Sequence, residues 1–170
     1  MRLIGLDPGL RVTGWGVIEA SRGRLRHIAN GTVRPKVGDP IAARLSALYD
    51  GIADILERHH PDGAAVEETF VNRNAQSTLR LGLARGVVLL APARAGLVVA
   101  EYGANLVKKS VTGTGHAAKD QVKMMVGTLL PKAEIESTDA ADALAVAICH
   151  AHFLETAGRL IAPSPAEAAQ

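Results

Sequence analysis

A single cysteine, Cys149, in 170 residues excludes an intrachain disulfide and fits a reducing compartment. Aromatic side chains make up only 3%, so the core has to be aliphatic and rich in alanine. The longest apolar run, residues 86–93, is too short to cross a bilayer. No charged segment followed by an apolar stretch precedes the first strand-like run, so neither an export signal nor membrane association is expected. Charge of one sign is also lacking: the net charge is +2 and does not announce a nucleic-acid partner by itself. What remains, 48% apolar and 21% charged residues, fits one soluble α/β domain with a sizeable core.

The distribution of charge says more than its sum. Residues 1–36 carry seven Arg or Lys against Asp7 and Glu19. Residues 71–94 carry Arg73, Arg80, Arg85 and Arg94 and no acid, and residues 102–125 carry Lys108, Lys109, Lys119 and Lys123 against Asp120. Acids collect in 37–70 and 133–170. Basic stretches around an acidic centre suit a molecule that grips phosphates, although a solvated mixed surface has the same composition.

Residues 2–7, 12–20 and 24–33 read as strands, with Arg22-Gly23 as a turn between the last two. Ile41, Leu45, Leu48, Ile52, Ile55 and Leu56 recur at helical spacing up to about His60, before Pro61-Asp62-Gly63. A short buried strand at 64–68 precedes a helix near 74–91. A strand at 97–101, helices near 103–111 and 117–130, and a last helix near 138–157 complete a domain over 1–157. Residues 158–170 read as a loose tail. The pattern predicts a mixed sheet, antiparallel at first and parallel later, flanked by helices.

Four acids stand where such a sheet would gather them. Asp7 ends the first apolar run, in Leu6-Asp7-Pro8-Gly9, and Glu67 ends another, in Ala64-Ala65-Val66-Glu67. Alternation along a strand lets only one of Glu67 and Glu68 face Asp7, and Glu67 is the choice. Asp139 and Asp142 are three apart, on one face of a helix. Each has a plainer explanation alone: a turn for Asp7, strand-end solvation for Glu67, a helix cap for Asp139. Together they form a buried negative cluster that needs protons or cations, and two hard divalent ions are the economical answer. That combination points to two-metal phosphodiester chemistry.

Asp7-Pro8-Gly9, Thr13-Gly14-Trp15-Gly16, Val66-Glu67 and Asp139-Ala140-Ala141-Asp142-Ala143-Leu144-Ala145, in that order and spacing, resemble the RuvC family of bacterial Holliday junction resolvases over about residues 2–155. The resemblance implies an RNase H-like fold, a homodimer and Mg²⁺-dependent cutting of four-way DNA junctions. Two Mg²⁺ per subunit are implied, with Mn²⁺ as a substitute, held by Asp7, Glu67, Asp139 and Asp142. It also implies junction contact by Phe70 and backbone contact by Lys108 and Lys119; from their charge and position alone, Lys109 and Arg73 are further candidates. Cooperation with the RuvA–RuvB branch-migration complex and a cytoplasmic, nucleoid-associated location follow from the same likeness.

Phe70 could stack on an unpaired base, or simply anchor its loop. Two other readings stay open. An actin-like phosphotransferase also places an Asp and glycines after strand one, but normally needs two lobes. A non-catalytic junction-binding scaffold would use the acids as caps and turns.

Overall fold

The computed structural model describes residues 1–68, 74–135 and 137–161, the last four by backbone alone. Five strands, β1 (Arg2–Asp7), β2 (Thr13–Ser21), β3 (Arg24–Val33), β4 (Gly63–Glu68) and β5 (Val99–Gly103), form one sheet in the order β3-β2-β1-β4-β5. The β3-β2-β1 half is antiparallel and the β1-β4-β5 half parallel, as the sequence pattern predicts. The helices are α1 (Ile41–His59), α2 (Ala75–Arg94), α3 (Ala104–Thr112), α4 (Lys119–Leu129) and α5 (Thr138–Ile161).

Strand alternation sorts the sheet into two unlike faces. Ile4 and Leu6 of β1, Val17 of β2 and Ala64 and Val66 of β4 pack against Leu48, Ile52, Ile55 and Leu56 of α1 and Ala84, Val88 and Ala91 of α2. The other face presents Leu3, Ile18 and Ala65 to α5, with Val107 and Val111 of α3 and Val122 and Val126 of α4 completing that layer. Here the sheet carries glycine where α5 crosses it. Gly5 and Gly16 pair directly across β1 and β2. A Cβ on Gly5 would fall on the Ala143 carbonyl and within 2.5 Å of the Ala147 amide, and one on Gly16 would meet the Leu144 side chain at 2.6 Å. The helix lies against bare backbone.

Several ends differ from the sequence-based ranges. Helix α1 keeps its expected end at about His60, whose left-handed backbone (φ 44°) lets its N–H reach the Leu56 carbonyl at 2.9 Å. Helix α2 runs on through Pro92 to Arg94, because a proline so near a helix end leaves few carbonyls without donors. Strand β5 starts two residues late, at Val99, and helix α5 continues to Ile161 instead of ending near 157. Residues 162–170 of the expected tail lie outside the described residues. No described helix is long and apolar enough to cross a membrane.

Candidate active site

Asp7 closes β1 on the α5 face, two residues beyond Gly5 and four beyond Leu3. Its register partner on β2 is Gly14, where a Cβ would collide with the Asp139 backbone. The missing side chain at Gly14 is therefore what lets the first turn of α5 settle beside Asp7. On the other flank, β4 pairs with β1 in parallel up to Leu6–Val66, which sets Glu67 beside Asp7. Ala65 faces α5, so Glu67 does too, and Glu68 belongs to the opposite face.

Electrostatics registers this convergence. Burial first, then the charges of Glu67, Asp142 and Asp139, push the Asp7 carboxyl up to about 8 against the pull of Lys119. Burial and then Asp142 push Glu67 up to about 7, opposed by Lys119 and Lys108. All four acids thus share one field, and the two deepest hold protons near neutral pH when no other cation is present. Among the described residues no group of three or more acid, imidazole or thiol side chains already closes a metal shell. Mutual repulsion is the physical reason to expect an open arrangement without a cation. The cation in contact is Lys119, whose Nζ donates to Asp142 Oδ2 at 3.1 Å. Ion pairing with Asp142 raises the lysine's own pKa.

The plainer roles for these acids are filled by other residues. Ser137 caps α5: its Oγ accepts from the Ala140 N–H at 3.1 Å, so Asp139 is not needed as the cap. The turn after Asp7 is tied by Thr13, whose hydroxyl donates to the Gly9 carbonyl at 2.7 Å and accepts from the Gly9 N–H at 3.2 Å. Behind it, the buried Arg44 of α1 donates to the Leu10 carbonyl at 2.9 Å. Neither Ser137 nor Arg44 stood out in the sequence. An arginine at i−4 to Leu48, on the apolar stripe of α1, was the available signal.

Lys108 and Lys119 both reach the acidic field, from the middle of α3 and the start of α4. Lys109, one position on and exposed, is not among the cations acting on Asp7 or Glu67. Phe70 and Arg73 lie outside the described residues. His116 sits in a loop organised by Thr112 and Thr114.

The profile described as "Crossover junction endodeoxyribonuclease RuvC" matches residues 3–150. The chain belongs to the RuvC family. It is 64% identical over 153 residues to the RuvC of Rhodospirillum rubrum, covering 90% of each chain. It is 61% identical over 160 residues to that of Paramagnetospirillum magneticum, covering 94% of this chain and 96% of the relative. Among solved structures it is similar to Thermus thermophilus RuvC in complex with a Holliday junction substrate, with a TM-score of 0.85, 33% identity and 92% and 96% of the two chains covered. The yeast mitochondrial resolvase Ydc2, at 11% identity and a TM-score of 0.63, shares the fold. The architecture is the RNase H-like one of RuvC, which agrees with the sheet predicted from sequence.

Proposed function

We propose that the chain is a structure-specific endonuclease that resolves four-way DNA junctions by paired, symmetric phosphodiester hydrolysis. The observation that supports this most is the common field of Asp7, Glu67, Asp139 and Asp142 at the carboxyl end of β1 and β4, in a RuvC-family chain. Four hard oxygen donors suit Mg²⁺, with Mn²⁺ as substitute, and suit no soft metal. Asp7, at the centre of the cluster, is assigned the position shared between two ions. Glu67 on one side and Asp139 and Asp142 on the other complete the donor set. When bound, such ions supply activation of the attacking water and charge compensation at the leaving oxygen.

The protein's own part is placement. Gly14 and Ser137 fix where Asp139 and Asp142 stand, and Arg44 and Thr13 hold the turn that carries Asp7. Lys119 and Lys108 are the cations nearest the acids, and a phosphate entering the site would meet them. Lys119, 70% exposed in its side chain and held by a single ion pair, can exchange Asp142 for a backbone phosphate at little cost. Phe70, Arg73 and Lys109 remain candidates for the junction surface on the strength of the sequence.

Two symmetric cuts call for two sites related by a two-fold axis. Helix α2 offers the surface for a second copy of the chain. Leu79, Leu83 and Leu90 are exposed along one stripe, and Gly82 and Gly86 beside them face open space. Family membership supports work alongside RuvA–RuvB in the bacterial cytoplasm, at the nucleoid. The deciding experiment incubates the protein with a synthetic four-way junction and with linear duplex, with and without Mg²⁺. Paired nicks on the junction alone, only with the metal, are expected. Equal cutting of linear duplex would overturn the proposal.

A further inference from the structure

At the end of the sheet remote from the acids, the β2–β3 turn and the residues after α4 enclose an open groove of about 1120 Å³. Arg22, Arg24, Arg26 and Lys132 line it against one carboxylate, Glu19, which accepts from Arg26 Nε at 2.8 Å. His27 completes the wall, its Nε2 2.8 Å from Asn30 Nδ2. Four cations facing one paired acid make a surface for a polyanion. The acids beside it are the exposed Glu134 and, at the β2–β3 turn, Glu155, whose carboxylate lies against Gly23.

Helix α4 joins this groove to the candidate active site. Its first residue, Lys119, touches Asp142, Lys123 follows one turn later, and the residues just past its end, Leu130 and Lys132, line the groove. Eleven helical residues span about 16 Å. Strand β1, running from Arg2 beside Glu19 to Asp7, gives about 17 Å between the same two ends. At about 3.4 Å per base pair this is the length of roughly five base pairs.

We propose that the groove is a second phosphate-backbone contact, holding a duplex arm of the junction about five base pairs from the strand presented to the acids. This rests on the junction-endonuclease reading above. An acidic peptide would match the charge equally. Only DNA also accounts for the groove lying in line with the acids along α4.

The test uses the full chain and four-way junctions with arms of about 20 base pairs. The variant is Arg22→Asn, Arg24→Gln and Lys132→Gln combined, with Asn at 22 because that residue has a left-handed backbone (φ 48°). Uncharged methylphosphonates replace the phosphates four to six base pairs from the crossover, or those 14 to 16 away. Wild-type affinity should fall about tenfold with the near substitution and hardly at all with the far one. The variant should bind the unmodified junction about tenfold more weakly than wild type and lose nothing further with the near substitution. Its salt slope should be shallower by about 2. Should the triple variant not fold, Lys132→Gln alone serves, with about a threefold loss that the near methylphosphonates abolish. Wild-type affinity in the variant, or a loss insensitive to the position of the methylphosphonates, overturns the proposal and leaves an acidic protein segment as the occupant to test. A wild-type protein that does not prefer junction to linear duplex would instead refute the parent reading.

Discussion

The two faces of the sheet are made from the same three central strands and obey different rules. Toward α1 and α2 they present Ile4, Leu6, Val17 and Val66, branched side chains that keep the helices a full layer away. Toward α5 they present Gly5, Gly14 and Gly16, and the helix sits against backbone. The first arrangement removes much apolar surface from water, which stabilises the fold. The second buries apolar surface too, through Leu3, Ile18, Leu144 and Ile148, but gives up side chains and β propensity at its glycines, and in return sets the distance from Asp7 to Asp139 and Asp142. Both faces hold the protein together, and the glycine face also holds the acids in register.

The sharpest break of this contrast is Asp7→Asn. It should lower junction cleavage by at least about 10³-fold, measured in single-turnover assays, while junction binding in the gel changes little. Cleavage at the wild-type rate would remove Asp7 from the chemistry. The same residue predicts a pH effect on stability. Asp7 and Glu67 are held at about 8 and about 7, above their ordinary 3.8 and 4.5, so the folded state binds protons that the unfolded state has released. Stability of the metal-free protein should therefore fall as pH rises from about 4 to 8 and level off above that. Thermal melts in EDTA should show this decline. Mg²⁺ should oppose it at pH 8, and Asp7→Asn should flatten it.

On the aliphatic face, Ile52→Ala should cost about 2–5 kcal/mol in urea denaturation yet leave the cleavage rate near wild type at 20 °C. On the glycine face, Gly14→Ala should cost less, about 1–3 kcal/mol, but slow cleavage about 10²-fold by moving Asp139. If Gly14→Ala lost stability without activity, the contrast between the faces would fail. The smallest effect belongs to Ser137→Ala, about 1 kcal/mol by urea denaturation, through loss of the α5 cap.

Much of this was legible in the sequence because it is written in local periodicity. The short apolar run in residues 2–7 marked β1, and the i, i+3, i+4 spacing of Leu45, Leu48 and Ile52 marked α1. The two-residue strand repeat allows only one of Glu67 and Glu68 to face Asp7, Glu67 is preferred because it directly follows the apolar run, and Ala65 facing α5 puts Glu67 on that face. What stayed hidden depends on contacts distant in sequence. Nothing near Gly14 announces that its missing side chain makes room for a backbone 125 residues later. Ser137 directly precedes the helix expected near 138, but Asp139 two residues on offers the same capping chemistry, and only the folded backbone shows which side chain meets the Ala140 N–H. Lys108 and Lys109 are adjacent and alike in sequence, and only the helical rotation between them separates the one that feels Glu67 from its neighbour.

The facing glycines Gly5 and Gly16 also govern how this protein tolerates random change. At Ile4 or Val17 a swap for a similar aliphatic residue keeps the volume roughly constant, and any harm appears as reduced abundance in the cell. At Gly5 or Gly16 every alternative adds at least one atom where α5 leaves room for none. A library scored at once for expression level and for junction cutting should therefore split along the sheet: the branched side yields graded losses of protein, and the glycine pair yields abrupt ones, steeper at Gly5, which meets backbone, than at Gly16, which meets the Leu144 side chain.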